Sequence, residues 1–171
     1  RRTRYENGET FTSNDWCDDA SLQSNPYGLA KAEAERKMRA FIDQCNASTR
    51  KIRLVTIHPS IVFGPIFHER HARGSMAYLK HYRGKMPFVL NAHLNFVDVR
   101  DVAQAHVNAI ENGQDGGRYI VHKTGLWMKE LGVALRRILP ERKWPVARLP
   151  TLLALVMAGF HPKLTVEQVR S

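Results

Sequence analysis

The chain has 171 residues, 43% of them hydrophobic and 25% charged, and its formal net charge is +10. This is globular composition, which excludes a disordered chain and fits one domain with a core of ordinary size. The positive charge raises nucleic acid or an anionic cofactor as a partner. The basic clusters, Arg1-Arg2-Thr3-Arg4 and Arg136-Arg137 with Arg142-Lys143, lie far apart with no recognised nucleic-acid motif, so nucleic acid is not expected.

Residues 1 to 25 are polar and punctuated, with Phe11 and Trp16 as isolated apolar anchors, and read as a loop leading into a helix. Ser24 or Asn25 can cap that helix and Pro26 suits its first turn. From Tyr27 to about Cys45 the run is rich in helix formers. Leu29, Ala30, Ala34, Met38, Phe41 and Ile42 make an apolar stripe along it. Tyr27 and Lys31 stand four apart, so they share a helix face. An ammonium held near a phenol favours the phenolate, which suits acid–base chemistry at a carbonyl.

Ile52 to Ile57 is β-branched and mostly apolar, as in a strand of a parallel sheet. It runs out into His58-Pro59-Ser60-Ile61-Val62-Phe63-Gly64-Pro65, and in open α/β sheets ligands are met beyond the carboxyl ends of strands. Residues 66 to 92 read as an insertion with a helical patch at Met76–Leu79 and a turn at Gly84–Pro87. His68 and His71 lack a third ligand, so no metal is expected. Asn95–Val99 reads as a strand, followed by a helix from Val102 to Ile110 with Asp101 at its start and Asn112-Gly113 at its end. Arg118–His122 reads as another strand and Trp127–Leu139 as a helix stopped by Pro140. Leu149 to Met157 reads as helical, and Thr165-Val166-Glu167 could begin a further helix.

Cys17 and Cys45 are the only cysteines and are not at metal-ligand spacing, which points to free thiols in a reducing compartment, the cytoplasm. The longest apolar run, Leu149 to Phe160, contains a proline and is too short to cross a bilayer, so no membrane partner is expected.

Three segments in this order resemble signatures of the extended short-chain dehydrogenase/reductases, the NAD-dependent epimerase/dehydratase family. They are Tyr27-x-x-x-Lys31, then His58-Pro59-Ser60-x-Val62-Phe63-Gly64-Pro65, then Phe96-Val97-Asp98-Val99-Arg100-Asp101-Val102-Ala103-x-Ala105-His106. Asn14-Asp15-Trp16-Cys17-Asp18 is most similar to the dihydroflavonol reductase and cinnamoyl-CoA reductase branch. The resemblance implies an α/β fold: the C-terminal part of a Rossmann-like parallel sheet (1–65 and 94–122) with a mainly helical substrate-binding cap (66–93 and 123–171).

It also implies an NAD(P)H-dependent carbonyl reductase, with NADP or NAD as cofactor and a small-molecule ketone or aldehyde as substrate. Tyr27 would be the proton donor and Lys31 would assist it while bonding the nicotinamide ribose. The Pro59, Ser60, Ile61 and Val62 backbone would border the nicotinamide. Asp98 and Asp101 would hold the return to the sheet. A nucleotide-sugar epimerase or dehydratase of the same family is the alternative, and self-association is left open.

The family's glycine-rich phosphate turn is absent from this sequence, and Thr12 and Ser13 lie in a polar loop with no strand ahead of them. The expectation is therefore roughly the C-terminal half of a longer enzyme, not binding NADPH tightly on its own. A truncated, non-catalytic chain acting by assembly or surface binding is the third reading.

Overall fold

Asn25 opens helix α1 (Pro26–Asn46) by accepting a hydrogen bond from the Gly28 amide at 2.9 Å on its side-chain oxygen, with Pro26 in the first turn. The fit leaves no space at Gly28, where a Cβ would stand 2.4 Å from Asn25 Nδ2. In this computed structural model the described residues are 10–48, 51–85 and 88–150. The expected helices beyond Leu149 lie almost wholly outside them.

The chain divides into two compact units. Of the described residues, one comprises 10–58 and 103–121, and the other 59–102 and 122–150.

In the first unit, α1 is followed by strand β1 (Thr56–Pro59), whose last residue passes into the second unit. β1 pairs with β4 (Arg118–Val121). The strand expected over Ile52–Ile57 starts later, for a physical reason. Asn46 brackets Ile52, donating to its carbonyl at 2.9 Å and accepting from its amide at 2.7 Å, and the Leu54 amide donates to the Asp115 carboxylate at 2.9 Å. Side chains take bonds that a ladder would have used, and regular pairing begins only at Thr56, whose amide donates to the Gly117 carbonyl at 2.9 Å.

The expected apolar stripe of α1 also needs correction. Its buried positions are Gly28, Ala32 and Ile42, whereas Met38 and Phe41 are 49% and 57% exposed. The inward seam runs 28, 32, 35, 39, 42, with the four-and-three spacing of one helix face, and its middle is filled by Glu35 and Arg39.

In the second unit, β2 (Ile61–Phe63) forms within the stretch expected to be a loop and pairs in parallel with β3 (His93–Asp98), Ile61 opposite Phe96. β3 pairs antiparallel with β5 (Thr124–Trp127), His93 opposite Trp127. β5 was not expected, because this segment reads as the approach to a helix. The register holds because Gly125 has no side chain: a Cβ there would meet His93 Cε1 at 2.3 Å and Asn95 Oδ1 at 2.8 Å.

Helix α2 (Ser75–Lys85) extends the expected Met76–Leu79 patch through residues read as a turn, and Met86 and Pro87 lie outside the described residues. Helix α4 (Met128–Ile138) matches the expected one within a residue. Tyr82, Val89, Met128 and Trp144 form a buried cluster, with Leu90, Leu94, Leu131 and Leu135 packed on it.

Helix α3 (Val99–Asn112) begins three residues earlier than its sequence suggests. Asp98 accounts for this, since its Oδ1 accepts from the Arg100 amide at 2.8 Å and satisfies one of the first free donors. Asp101 therefore lies inside the first turn, where a carboxylate complements the helix dipole.

Candidate active site

Tyr27 and Lys31 project from the first turns of α1 and are brought together as their spacing requires. The Lys31 ammonium stands 5.6 Å from the centroid of the Tyr27 ring, and Tyr27 is 58% exposed. A cation against the ring of an accessible phenol can stabilise negative charge left on that phenol when it gives up a proton.

Pro59, Ser60, Ile61 and Val62 belong to the second unit. Pro59 ends β1, while Ile61 and Val62 lie in β2. Ser60 joins the two strands, and its Oγ is buried without a hydrogen-bond partner, one of two such side-chain atoms among the described residues. A buried polar atom of this kind calls for an explanation, and a hydroxyl kept for a bound polar group provides one. The Ser60 hydroxyl fits a polar group of a bound ligand. For the pyrophosphate of a dinucleotide the sequence has no glycine-rich turn to offer.

Gly64 follows with φ +147°, in the region that favours glycine, and a Cβ there would meet Val99 Cγ1 at 2.6 Å. The loop after β2 is thus held against the start of α3. There Asp98 also accepts from Arg100 Nε at 2.9 Å and Nη2 at 2.7 Å. The Arg100 side chain, with its backbone amide, brings the Asp98 carboxyl down to about 2.

His68 Nδ1 accepts from the Arg70 amide at 3.1 Å. Among the described residues no three His, Cys, Asp or Glu side chains gather as metal ligands would, and no helix is long and apolar enough to cross a membrane.

The sequence did not reveal the charged centre of the first unit. Glu35 is one turn beyond Lys31, and its side chain is only 9% exposed. Its Oε1 accepts from Arg39 Nε at 3.0 Å and Nη2 at 2.8 Å, and from Arg118 Nε at 2.9 Å. Its Oε2 accepts from Arg118 Nη2 at 3.3 Å and lies 3.7 Å from His58 Nε2. The Arg118 guanidinium lies 4.1 Å from the centroid of the Trp16 ring, and its Nη1 donates to the carbonyls of Ser13 and Asp15. Arg36 stands 5.0 Å from the same ring. The loop ahead of α1 is thereby strapped to the helix and to β4.

Two opposed effects set the protonation of this centre. Burial alone would push the Glu35 carboxyl up, but the hydrogen bonds from Arg39 and Arg118 outweigh it and hold the carboxyl below its ordinary range. Burial pushes the His58 imidazole down, and the Arg118 and Arg39 charges add to this against the opposing pull of Glu35. Both groups thus bind protons more weakly folded than unfolded, so stability rises with pH. The His58 share is complete above its ordinary 6.5 and is lost as pH falls from there through its lower folded value. Urea unfolding of the 171-residue chain should show stability falling as pH drops below 6.5, and His58→Asn should flatten that part of the curve. An unchanged slope in the variant would remove His58 from this role.

An α/β chain presenting a tyrosine and a lysine one turn apart on a helix, with a strand-end Pro-Ser segment after it, has the features of a dinucleotide-dependent oxidoreductase or epimerase. The chain belongs to the NAD-dependent epimerase/dehydratase family, whose model matches residues 4–121. It is 31% identical over 135 residues to cinnamoyl-CoA reductase CAD2 of Medicago truncatula, covering 79% of this chain and 39% of that one. Vestitone reductase from alfalfa (Medicago sativa) is 26% identical with a TM-score of 0.55, covering 84% of this chain and 48% of that one. A nucleoside-diphosphate-sugar epimerase from Pseudomonas aeruginosa shares the fold, with a TM-score of 0.73 at 18% identity over 98% of this chain and 52% of that one. The fold is therefore Rossmann-like α/β, and the chain spans about half the length, or less, of these proteins.

Proposed function

We propose that this chain supplies the proton-donor half of an NAD(P)H-dependent carbonyl reductase, within a protein that also carries a dinucleotide-binding half. The observation carrying this reading is the Lys31 ammonium 5.6 Å from the ring centroid of an accessible Tyr27. Two relatives named as reductases support reduction over epimerisation.

When bound, the cofactor supplies a hydride to the carbonyl carbon of a small-molecule ketone or aldehyde. Tyr27 would donate its phenolic proton to the carbonyl oxygen, so that hydride and proton together turn the C=O into CH–OH. Lys31 would stabilise the charge left on the phenol and, as the resemblance implies, bond the nicotinamide ribose. As the resemblance implies, the Pro59–Val62 backbone would border the nicotinamide. Of the described residues, 66–85, 88–93 and 123–150 would shape the substrate side, as a cap. On this reading the protein works in the cytoplasm on small molecules, without nucleic acid or membrane, and self-association is compatible with it.

The test is net hydride transfer. In the protein carrying both halves, NADPH or NADH should be consumed when an aldehyde or ketone is added, and nucleotide sugars should be left unchanged.

A further inference from the structure

Glu35 lies in the seam of α1 that faces the rest of its unit, eight residues from Tyr27 and four from Lys31. Both carboxylate oxygens are engaged. Arg39 of the same helix binds Oε1, Arg118 of β4 binds both oxygens, and the Thr56 hydroxyl of β1 reaches Oε1 at 3.4 Å. His58 Nε2 stands 3.0 Å from the Thr56 hydroxyl and 3.7 Å from Oε2. Arg118 carries the connection on to Ser13, Asp15 and the Trp16 ring. One carboxylate thus joins the helix, both strands of the β1–β4 sheet and the preceding loop.

We infer that Glu35 is a positioning residue that fixes the roll of α1 about its axis, and with it where the Tyr27 phenol and the Lys31 ammonium point. The inference rests on the reading of Tyr27 and Lys31 as the proton-donor pair. The lever is short. With side chains about 5–6 Å from a helix axis, a roll of roughly 10° moves a side-chain tip by about 1 Å. Misplacement of that order lowers turnover by about 10²-fold. Near Tyr27 and Lys31 the buried positions of this face are the small residues Gly28 and Ala32, and the next buried apolar residue, Ile42, lies ten residues beyond Ala32. The bonded carboxylate between them and Ile42 supplies the directional restraint.

The test uses the protein that carries both halves of the fold. Glu35→Gln keeps the shape and removes the charge, and should lower kcat by about 10²-fold while the KM for cofactor stays within a few-fold. Glu35→Gln/Arg39→Gln removes one of the two cations left without a carboxylate and keeps the Arg118 bonds to Ser13 and Asp15, so its melting temperature should recover part of the way toward that of the parent while kcat stays low. A residue acting through stability alone would let kcat recover with the melting temperature, and that result, or a folded variant with parental kcat, overturns the inference. If Glu35→Gln does not fold, the double variant decides. Failure of the underlying reading is separate, because it appears as undiminished turnover in Tyr27→Phe.

Discussion

Tyr27→Phe, in the protein carrying both halves of the fold, is expected to lower turnover by roughly 10²–10⁴-fold, the usual range for losing a positioned general acid. Cofactor affinity should stay within a few-fold. The substitution deletes one oxygen and keeps the ring, so the packing against Lys31, whose ammonium stands 5.6 Å from the ring centroid, survives. On the proposed reading, what is lost is the proton that would complete reduction of the carbonyl. Hydride delivery without that proton would leave an alkoxide, so the loss should fall on kcat. Steady-state kinetics together with nicotinamide fluorescence separate the two quantities. Turnover near the parental value would remove Tyr27 from the role.

The largest effect on stability is expected at Tyr82. Its side chain is fully buried, its hydroxyl donates to the Met128 carbonyl at 2.5 Å and lies 3.3 Å from the Pro145 carbonyl, and its ring lies 6.3 Å from that of Trp144. The hydroxyl sits where two carbonyls and Gly132 converge, and a Cβ on Gly132 would meet Tyr82 Oη at 3.0 Å and the Pro145 oxygen at 2.2 Å. Tyr82→Ala removes the ring and opens a cavity among Val89, Met128 and Trp144, costing about 3–5 kcal/mol. Tyr82→Phe keeps the ring and strips the carbonyls of their donor, costing about 1–2 kcal/mol. Urea denaturation of the two variants should rank them in that order. Equal costs would mean that the hydroxyl, and not the ring, holds the cluster together.

The sequence shows most where local chemistry decides. Asn25, Pro26 and the run of helix formers behind them set the start of α1, and the pair at 27 and 31 follows from helix geometry alone. The Asp98–Asp101 segment was legible as the entry to α3, though the cap belongs to Asp98 and not to Asp101. Legibility fails where a distant residue decides. Leu54 leaves the expected strand because Asp115 takes its amide, and β5 exists because β3 is there to pair with it.

Glu35 was the main omission at the site. A Glu–Arg pair four apart on a helix ordinarily lies on the solvated face. Only Arg118, 83 residues away, turns this one inward. The same misreading moved the buried face of α1 to Met38 and Phe41, because Gly28 and Ala32 bury little area and give no hydrophobic signal.

The most direct test of the proton-donor reading follows the hydride itself. The protein carrying both halves is incubated with nicotinamide cofactor deuterated at C4 on the transferred face, and with an aldehyde or ketone. Mass spectrometry should find one deuterium on the former carbonyl carbon of the alcohol, in amounts matching the cofactor oxidised, and Tyr27→Phe should form almost none. Inversion of a nucleotide sugar with no net cofactor oxidation, or label transfer undiminished in Tyr27→Phe, would contradict it.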